Sequence, residues 1–158
     1  MPSRSYKRLP VKEDPKFNSH QVAKLINYVM VDGKKSVARR MVYSCLDMIQ
    51  AQENLNPVEV LSRAVENVAP AREVRPRRVG GASYLVPYET RNERKVFLAL
   101  NWIVEAAKSR SNKQYKSFDK KLHDELMDAY QNQGEAISKR LQVEKLAEAN
   151  KAFAHFSW

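Results

Sequence analysis

The chain has one cysteine and only four glycines among its 158 residues. Cys45 has no partner within the chain, so a disulfide framework is excluded, and a bacterial cytosol or an organelle matrix is the expected compartment. No apolar run approaches the ~20 residues that a membrane helix needs, since the longest candidate, 96–104, is interrupted by Asn101. We therefore expect a soluble protein that makes no membrane contact.

Acidic residues are also scarce, with 18 against 28 lysines and arginines and a net charge of +10. The excess is uneven, because segments 1–16, 17–45, 72–91 and 108–121 carry +3, +4, +3 and +5 while the remainder is net negative. No apolar stretch follows the basic residues of 1–16, so this segment is expected to be a basic arm and not a secretory signal. Cationic patches of this kind favour a polyanionic partner.

The sequence lacks the groupings that metal, nucleotide and catalytic sites require. His20, His123 and His155 are far apart and no cysteine pair accompanies them. The GKKS turn at 33–36 is not a phosphate-binding loop, because Tyr28 stands where the first glycine is needed. The two acidic residues after His123 are its helical neighbours, which are expected to point in different directions. The sequence therefore predicts no enzyme, no metal, no cofactor and no small-molecule substrate.

Apolar residues recur at helical spacing in six segments, which predicts six helices. Ser19 is the expected N-cap of the first, and Asn56 with Pro57 opens the third. Thr90 and Glu93 form the pattern of a capping box for the fourth. The apolar stripes run over 22–30, 38–49, 58–68, 96–107, 118–130 and 137–153.

Segment 72–91 breaks this helical pattern and predicts a β-hairpin. Gly80 and Gly81 supply the positive φ angles of a two-residue turn, and Pro76 and Pro87 are typical of edge strands. The predicted fold is mainly α, a single domain of about six packed helices with a protruding β-hairpin arm between the third and fourth. The expected divisions of residues 1–158 are a basic N-terminal arm at 1–16, the hairpin arm at 72–91 and a C-terminal helix and tail at 135–158.

The turn fixes a predicted strand register, in which Arg75 pairs with Val86, Arg77 with Tyr84, and Val79 with Ala82. This register places two guanidiniums and one aromatic ring on one face of the arm. Arginine contacts phosphate and also stacks, and a tyrosine can carry an unpaired base, which is a combination suited to irregular RNA. The alternative is that Tyr84 packs against the fourth helix.

Four blocks of sequence, in this order, closely resemble the bacterial-type family of small-subunit ribosomal protein seven. They are DPKF at 14–17 with DGKKS at 32–36, RRVGG at 77–81 with Tyr84 and Val86-Pro87, WIVEAA at 102–107, and AEANKAFAHFSW at 147–158. The resemblance implies a structural constituent of the small ribosomal subunit that binds the 3′ major (head) domain of its RNA and nucleates assembly of the head. It also implies an arm near exit-site tRNA and messenger RNA, a neighbour in small-subunit protein eleven, and possible repression of its own operon.

The resemblance and the basic segments together give the expected site residues. The expected rRNA contacts are Arg4, Lys7, Arg8, Lys12, Lys34, Lys35, Arg72, Arg75, Arg77, Arg78, Arg91, Arg94, Arg110, Lys113 and Lys116. Residues expected near exit-site tRNA and messenger RNA are Gly80, Gly81, Ser83 and Tyr84. Those expected to contact a protein neighbour are Lys151, His155 and Trp158. The lysine-rich segment 112–121 is left open as an additional RNA contact.

Two other functions are compatible with parts of the sequence. A DNA-bending architectural protein also carries basic β-arms, sometimes with a proline wedge such as Pro76. Such arms usually depend on a dimer, and no dimerisation helix stands out in this chain. An RNA-modifying enzyme would need a cofactor loop or catalytic cluster that the sequence lacks.

Overall fold

The computed structural model describes residues 11–157, with residue 52 described by its backbone only. Arg4, Lys7, Arg8 and Trp158 lie outside the described residues. Within that range no helix is long and apolar enough to cross a membrane. The predicted fold class is confirmed by the elements in chain order, which are α1 (His20–Val29), α2 (Lys35–Glu53), α3 (Pro57–Val68), β1 (Arg72–Val79), β2 (Ala82–Glu89), α4 (Asn92–Ser109), α5 (Phe118–Tyr130), α6 (Glu135–Ala149) and a C-terminal 3₁₀-helix (Lys151–Phe156).

Side-chain caps begin two of the helices as predicted. The Ser19 hydroxyl accepts a hydrogen bond from Val22 N at 3.5 Å at the start of α1. The Asn56 side chain accepts from Val58 N at 3.1 Å, with Pro57 as the first residue of α3. These bonds satisfy amide groups that have no partner within the helix.

The predicted capping box of α4 is wrong. The N-cap is Arg91, which makes no side-chain capping bond, and the buried Thr90 hydroxyl has no hydrogen-bond partner within the described part of the chain. The physical reason is that Thr90 belongs to the end of the arm. Its backbone N–H donates to Ala71 O at 3.1 Å, which closes the base of the hairpin before the helix begins.

One hydrophobic core joins the helices. α4 packs against α1, α3, α5 and α6, and α5 packs against α2, α3, α4 and α6. Cys45 is fully buried in this core, and burial raises the pKa of its thiol. Cys45 is therefore a small residue of the core. The largest fully buried apolar side chains are Leu25, Ile26, Leu46, Ile49, Leu61, Leu100, Ile103, Leu122 and Leu126.

The hairpin has the predicted turn and register. Gly80 and Gly81 have φ of 58° and 88°, in the left-handed region that favours glycine. Arg75 lies opposite Val86 and Arg77 opposite Tyr84, as predicted. The arm is braced by the C-terminal segment, because α6 contacts both strands and the 3₁₀-helix contacts β2.

The last predicted helix is shorter than its apolar stripe indicated. α6 ends at Ala149, and after Asn150 the chain continues as the separate 3₁₀-helix. This break turns Phe153 and Phe156 towards the arm, where both rings contact Tyr84. The C-terminal segment therefore folds back onto β2.

Candidate nucleic-acid interface

The turn between α1 and α2 displays two lysines. Asp32 and Gly33 adopt φ of 52° and 72°, and the turn is closed by hydrogen bonds from Lys34 N to Val31 O and from Lys35 N to Gly33 O. Both lysine side chains are exposed and make no ion pair or hydrogen bond within the described residues. The turn therefore offers two cations, on a fixed backbone, to a partner outside the chain.

A buried carboxylate organises the base of the arm. Glu73 is 7% exposed and accepts hydrogen bonds from Arg75 Nε at 2.9 Å and from Arg94 Nε at 3.2 Å. Burial acts to raise the pKa of Glu73, but the hydrogen bonds from the two arginines outweigh it and the pKa is lowered. Arg75 also lies over the Tyr88 ring, and Arg94 over the Phe97 ring. Glu73 therefore holds two exposed guanidiniums in fixed positions.

The arm face that carries Arg77 and Tyr84 is covered by the C-terminal segment. Arg77 Nη1 donates to Phe156 O at 2.7 Å and to Tyr88 Oη at 3.4 Å. The Tyr84 ring lies 5.1 Å from the Phe153 ring and 5.3 Å from the Phe156 ring, centroid to centroid. Tyr84 does pack within the protein, but its partner is the 3₁₀-helix and not α4. The face predicted to stack on RNA is thus partly occupied by the chain itself.

The opposite face of the arm is open. Arg78 is exposed and makes no ion pair or hydrogen bond within the described residues. Ser83, its cross-strand partner, is exposed, as are Pro76 and Leu85, the next pair on the same face of the ladder. The sequence assigned Arg75, Arg77 and Arg78 together to rRNA binding. Arg78 points away from the face that carries Arg75 and Arg77, because side chains alternate along a strand.

Arg72 and Arg91 lie at the base of the arm, Arg72 as the first residue of β1 and Arg91 just after β2. Arg72 is exposed and approaches Glu148 of α6 at 3.9 Å. Arg91 is exposed just after β2 and has no ion pair in the part of the chain that the structure describes. Lys12 is likewise exposed before α1. These side chains remain accessible to an external anion.

Arg110 is held inside the protein. Its side chain is 19% exposed, and it pairs with Glu125 at 2.7 Å and also with Asp128. Burial acts to lower the pKa of Arg110, but its bonds to Asp128 and Glu125 raise it above the ordinary value. Glu125, 1% exposed, also accepts from Ala136 N at the start of α6. Arg110 therefore ties the 110–117 loop to α5 and α6, a role that its place in a basic segment did not predict.

The 112–121 segment divides into exposed and buried lysines. Lys113 and Lys116 are exposed, and their side chains make no ion pair within the described residues. Lys121 is only 6% exposed, and its ammonium donates to Asn112 Oδ1 at 2.6 Å and to Arg110 O. The segment therefore presents fewer cations than its composition indicates.

His123 differs in one respect from expectation. Its Nδ1 lies 2.8 Å from Asp124 Oδ1, although neighbouring helical side chains were expected to diverge. Glu125 points instead to Arg110. Among residues 11–157 no group of three or more histidine, cysteine or acidic side chains could hold a metal ion.

The residues expected to meet a protein neighbour lie on the 3₁₀-helix. Lys151 is exposed and pairs with Glu148 at 3.4 Å, and His155 is exposed with Nδ1 2.8 Å from Ala152 O. Phe153 and Phe156, on the same helix, were not among the predicted site residues. Phe153 and Phe156 are three residues apart, which places them on one face of a helix, but nothing in the sequence indicated that this face would turn towards Tyr84.

Known proteins resemble the chain over its full length. The small ribosomal subunit protein uS7 of Nitrosococcus oceani is 49% identical over 151 residues, which cover 96% of this chain and 95% of that protein. The uS7 protein of Bordetella petrii is 49% identical and that of Thermotoga maritima 48%, each covering 100% of both chains. The family described as ribosomal protein S7p/S5e matches residues 1–151.

The chain belongs to the ribosomal protein S7p/S5e family. As an S7p/S5e protein it is a structural constituent of the small ribosomal subunit and not an enzyme. Its partners are ribosomal RNA and other ribosomal proteins. The resemblance drawn from four blocks of sequence is therefore confirmed.

Proposed function

We propose that this S7p/S5e protein binds the 3′ major domain of small-subunit ribosomal RNA directly and nucleates assembly of the head. The observation that carries the proposal is a line of contacts that links the α1–α2 turn to the arm. Tyr28, near the end of α1, packs edge-on against Phe97 of α4 at 5.6 Å, and Arg94 lies over the same Phe97 ring at 4.8 Å. Arg94 in turn shares Glu73 with Arg75 of the arm.

These contacts connect cationic elements that are far apart in sequence. Lys34 and Lys35 lie on the turn that follows α1, and Arg94 and Arg75 lie at the base of the arm. A multi-helix RNA junction presents several phosphate groups at once, and cations on connected rigid elements can contact them without further ordering of the protein. Each phosphate contact releases counterions, which makes the affinity fall with salt.

The arm's tip is proposed to lie near exit-site tRNA and messenger RNA. Gly80, Gly81 and Ser83 are exposed, so the turn is accessible to a passing strand. Gly80 and Gly81 have no atom within 4 Å of the position that a Cβ would occupy. Tyr84 is not part of this proposal as a stacking platform, because its ring is engaged by Phe153 and Phe156.

The C-terminal segment is proposed to contact small-subunit protein eleven. Lys151 and His155 are exposed, and α6 exposes two large apolar side chains, Leu141 at 53% and Leu146 at 42%. Repression of the protein's own operon is a further proposal, in which a messenger that imitates the ribosomal junction would use the same cations.

A competition experiment tests the main proposal. The protein is bound to a labelled 3′ major domain transcript at 150 mM salt and challenged with either a 5′ domain transcript or duplex DNA of equal length. We expect only unlabelled 3′ domain RNA to compete at stoichiometric concentration. Equal competition by the 5′ domain would contradict the assignment to the head, and preferential binding of the duplex would favour a DNA-bending protein.

A further inference from the structure

An open groove of about 780 Å³ runs along α2. One wall is a single stripe of this helix, because residues 36, 40, 43, 47 and 51 follow one another at intervals of three or four. Lys16, from the segment before α1, also lines the groove. Arg39 and Arg40 of this groove belong to the basic segment 17–45, but neither was among the expected site residues.

The acidic groups in and beside the groove are all engaged within the protein. Asp47 is bound by Lys16 Nζ at 2.6 Å. Asp119 accepts from Ser44 Oγ at 2.7 Å, and Asp14 accepts from Tyr43 Oη at 2.7 Å. These bonds also fix the floor of the groove, where Phe17 packs edge-on against Tyr43.

The cations Arg39 and Arg40, by contrast, have no acidic partner among the residues that the structure describes. Both are exposed, both line the groove, and neither makes an ion pair or hydrogen bond within the described residues. Ser36 stands beside them as a further donor, one position after Lys35. The groove therefore has two unpaired guanidiniums at the end nearest the α1–α2 turn and a neutralised Lys16–Asp47 pair at the other.

We propose that this groove is an additional binding site for ribosomal RNA, in which Arg39 and Arg40 bind the phosphodiester backbone. The site continues the surface of Lys34 and Lys35, so that one strand contacts the turn and then follows α2. Guanidiniums bind phosphate through two parallel hydrogen bonds, and the apolar floor formed by Tyr43 and Met48 suits a ribose or a base. The inference rests on the proposed function and adds a second contact region to it.

The test compares the salt dependence of binding to the 3′ major domain transcript. Replacing both arginines, R39A with R40A, should lower the slope of log affinity against log salt by about 1.4 to 1.8 units, as the loss of two phosphate contacts requires. The matched control is K108A with K145A, which removes two exposed lysines that also lack partners within the described residues. We expect the control to leave the slope unchanged.

A charge-conserving variant separates phosphate binding from changes in folding. R39K with R40K should keep the slope close to wild type, because two cations remain, while affinity falls through loss of the bidentate geometry. Thermal unfolding of all variants should coincide, because substitutions of exposed side chains without internal partners seldom change stability appreciably. If R39A with R40A unfolds early, R39Q with R40Q provides the same charge change with a longer side chain.

Each failure has a distinct meaning. If wild type binds the transcript and R39A with R40A keeps its full slope, the groove is not an RNA site and the proposed function stands. If wild type does not bind the transcript, both are overturned. If the variant binds naked RNA normally but is not incorporated into subunits reconstituted with all small-subunit proteins, the groove belongs to a protein neighbour and the RNA assignment is wrong.

Discussion

At the scale of single residues, the decisive difference among the basic side chains is whether an acidic partner already holds them. Arg110 lies in a basic segment, yet it is bound to Glu125 and Asp128. Arg78 and Lys35 lie in similar segments and have no such partner within the described residues. A cation without an internal partner can bind phosphate with all of its hydrogen-bond donors.

We expect Arg110→Ala to destabilise the protein by about 3 to 5 kcal/mol, because it would leave Glu125 buried without a compensating charge. The measurement is urea unfolding at pH 7. Lys113→Ala, in the same loop but exposed, is the control and should change stability by less than about 0.5 kcal/mol. Similar stability of the two variants would show that the Arg110–Glu125 pair is not structural.

The contribution of Glu73 to the stability of the protein depends on pH. Its pKa is lowered in the folded protein by Arg75 and Arg94, so its contribution to stability is present above the unfolded pKa, near 4.3. That contribution is lost as pH falls through the lower, folded pKa. The free energy of unfolding of the wild type should therefore exceed that of Glu73→Gln by about 1 to 2 kcal/mol at pH 7, and this difference should shrink below about pH 4. A difference independent of pH would contradict this account.

At the scale of elements, the arm and the C-terminal 3₁₀-helix form one unit. Arg77 and Tyr84 contact the 3₁₀-helix, whereas Arg78, on the other face, does not take part in these contacts. The two faces of the ribbon are therefore expected to differ in function. The 3₁₀-helix covers the face of Arg77 and Tyr84, although Arg75 on the same face stays exposed, whereas the face of Arg78 is open to RNA near the tip of the arm.

Neighbouring arginines should consequently respond differently to substitution. Arg78→Ala should reduce the salt slope of rRNA binding by about one unit without changing stability. Arg77→Ala should lower stability by about 1 kcal/mol, because it removes the hydrogen bond to Phe156 O. Salt-dependent binding and thermal unfolding of both variants check this contrast. If Arg77→Ala alone abolishes the one-unit share of the salt slope, RNA binds the face that carries Arg77 and Tyr84, as the sequence predicted.

Removing both rings of the 3₁₀-helix, F153A with F156A, should loosen the arm and leave the core intact. Local openings need less free energy than global unfolding, so the effect should be confined to the elements that lose contacts. Hydrogen exchange of the β2 amides should accelerate, while the amides of α4 and α5 keep their protection. Unchanged exchange in β2 would mean that the strand pairing alone orders the arm.

The sequence predicted local features well and tertiary contacts of the tail poorly. A two-residue hairpin turn requires positive φ angles, which Gly80 and Gly81 adopt without strain, and the turn fixed the register because the side-chain period of a strand is two. The N-cap of α3 was likewise predicted correctly from Asn56 and Pro57. The turn of the last residues towards Tyr84 depends on a break at Asn150 that apolar spacing does not reveal. The bond between Arg110 and Glu125 was not predicted for the same reason, since Glu125 is fifteen residues away.

At the scale of the whole molecule, the exposed cations lie on connected elements around one core. The α1–α2 turn, the α2 groove and the open face of the arm present Lys34, Lys35, Arg39, Arg40 and Arg78 without partners within the described residues. Tyr28, Phe97, Arg94 and Glu73 connect the first of these regions to the arm. A rigid protein with several such regions can hold an RNA junction in one arrangement.

Backbone footprinting on a 3′ major domain transcript tests this account most directly. Hydroxyl radicals cleave the transcript with and without the protein at 150 mM salt, and a 5′ domain transcript serves as the control. We predict that the protein protects stretches of the transcript only at the multi-helix junctions of the 3′ domain. Arg78→Ala should weaken the protection of one stretch, and R39A with R40A should weaken the protection of a different one. Absence of protection, or equal protection of the 5′ domain transcript, would contradict it.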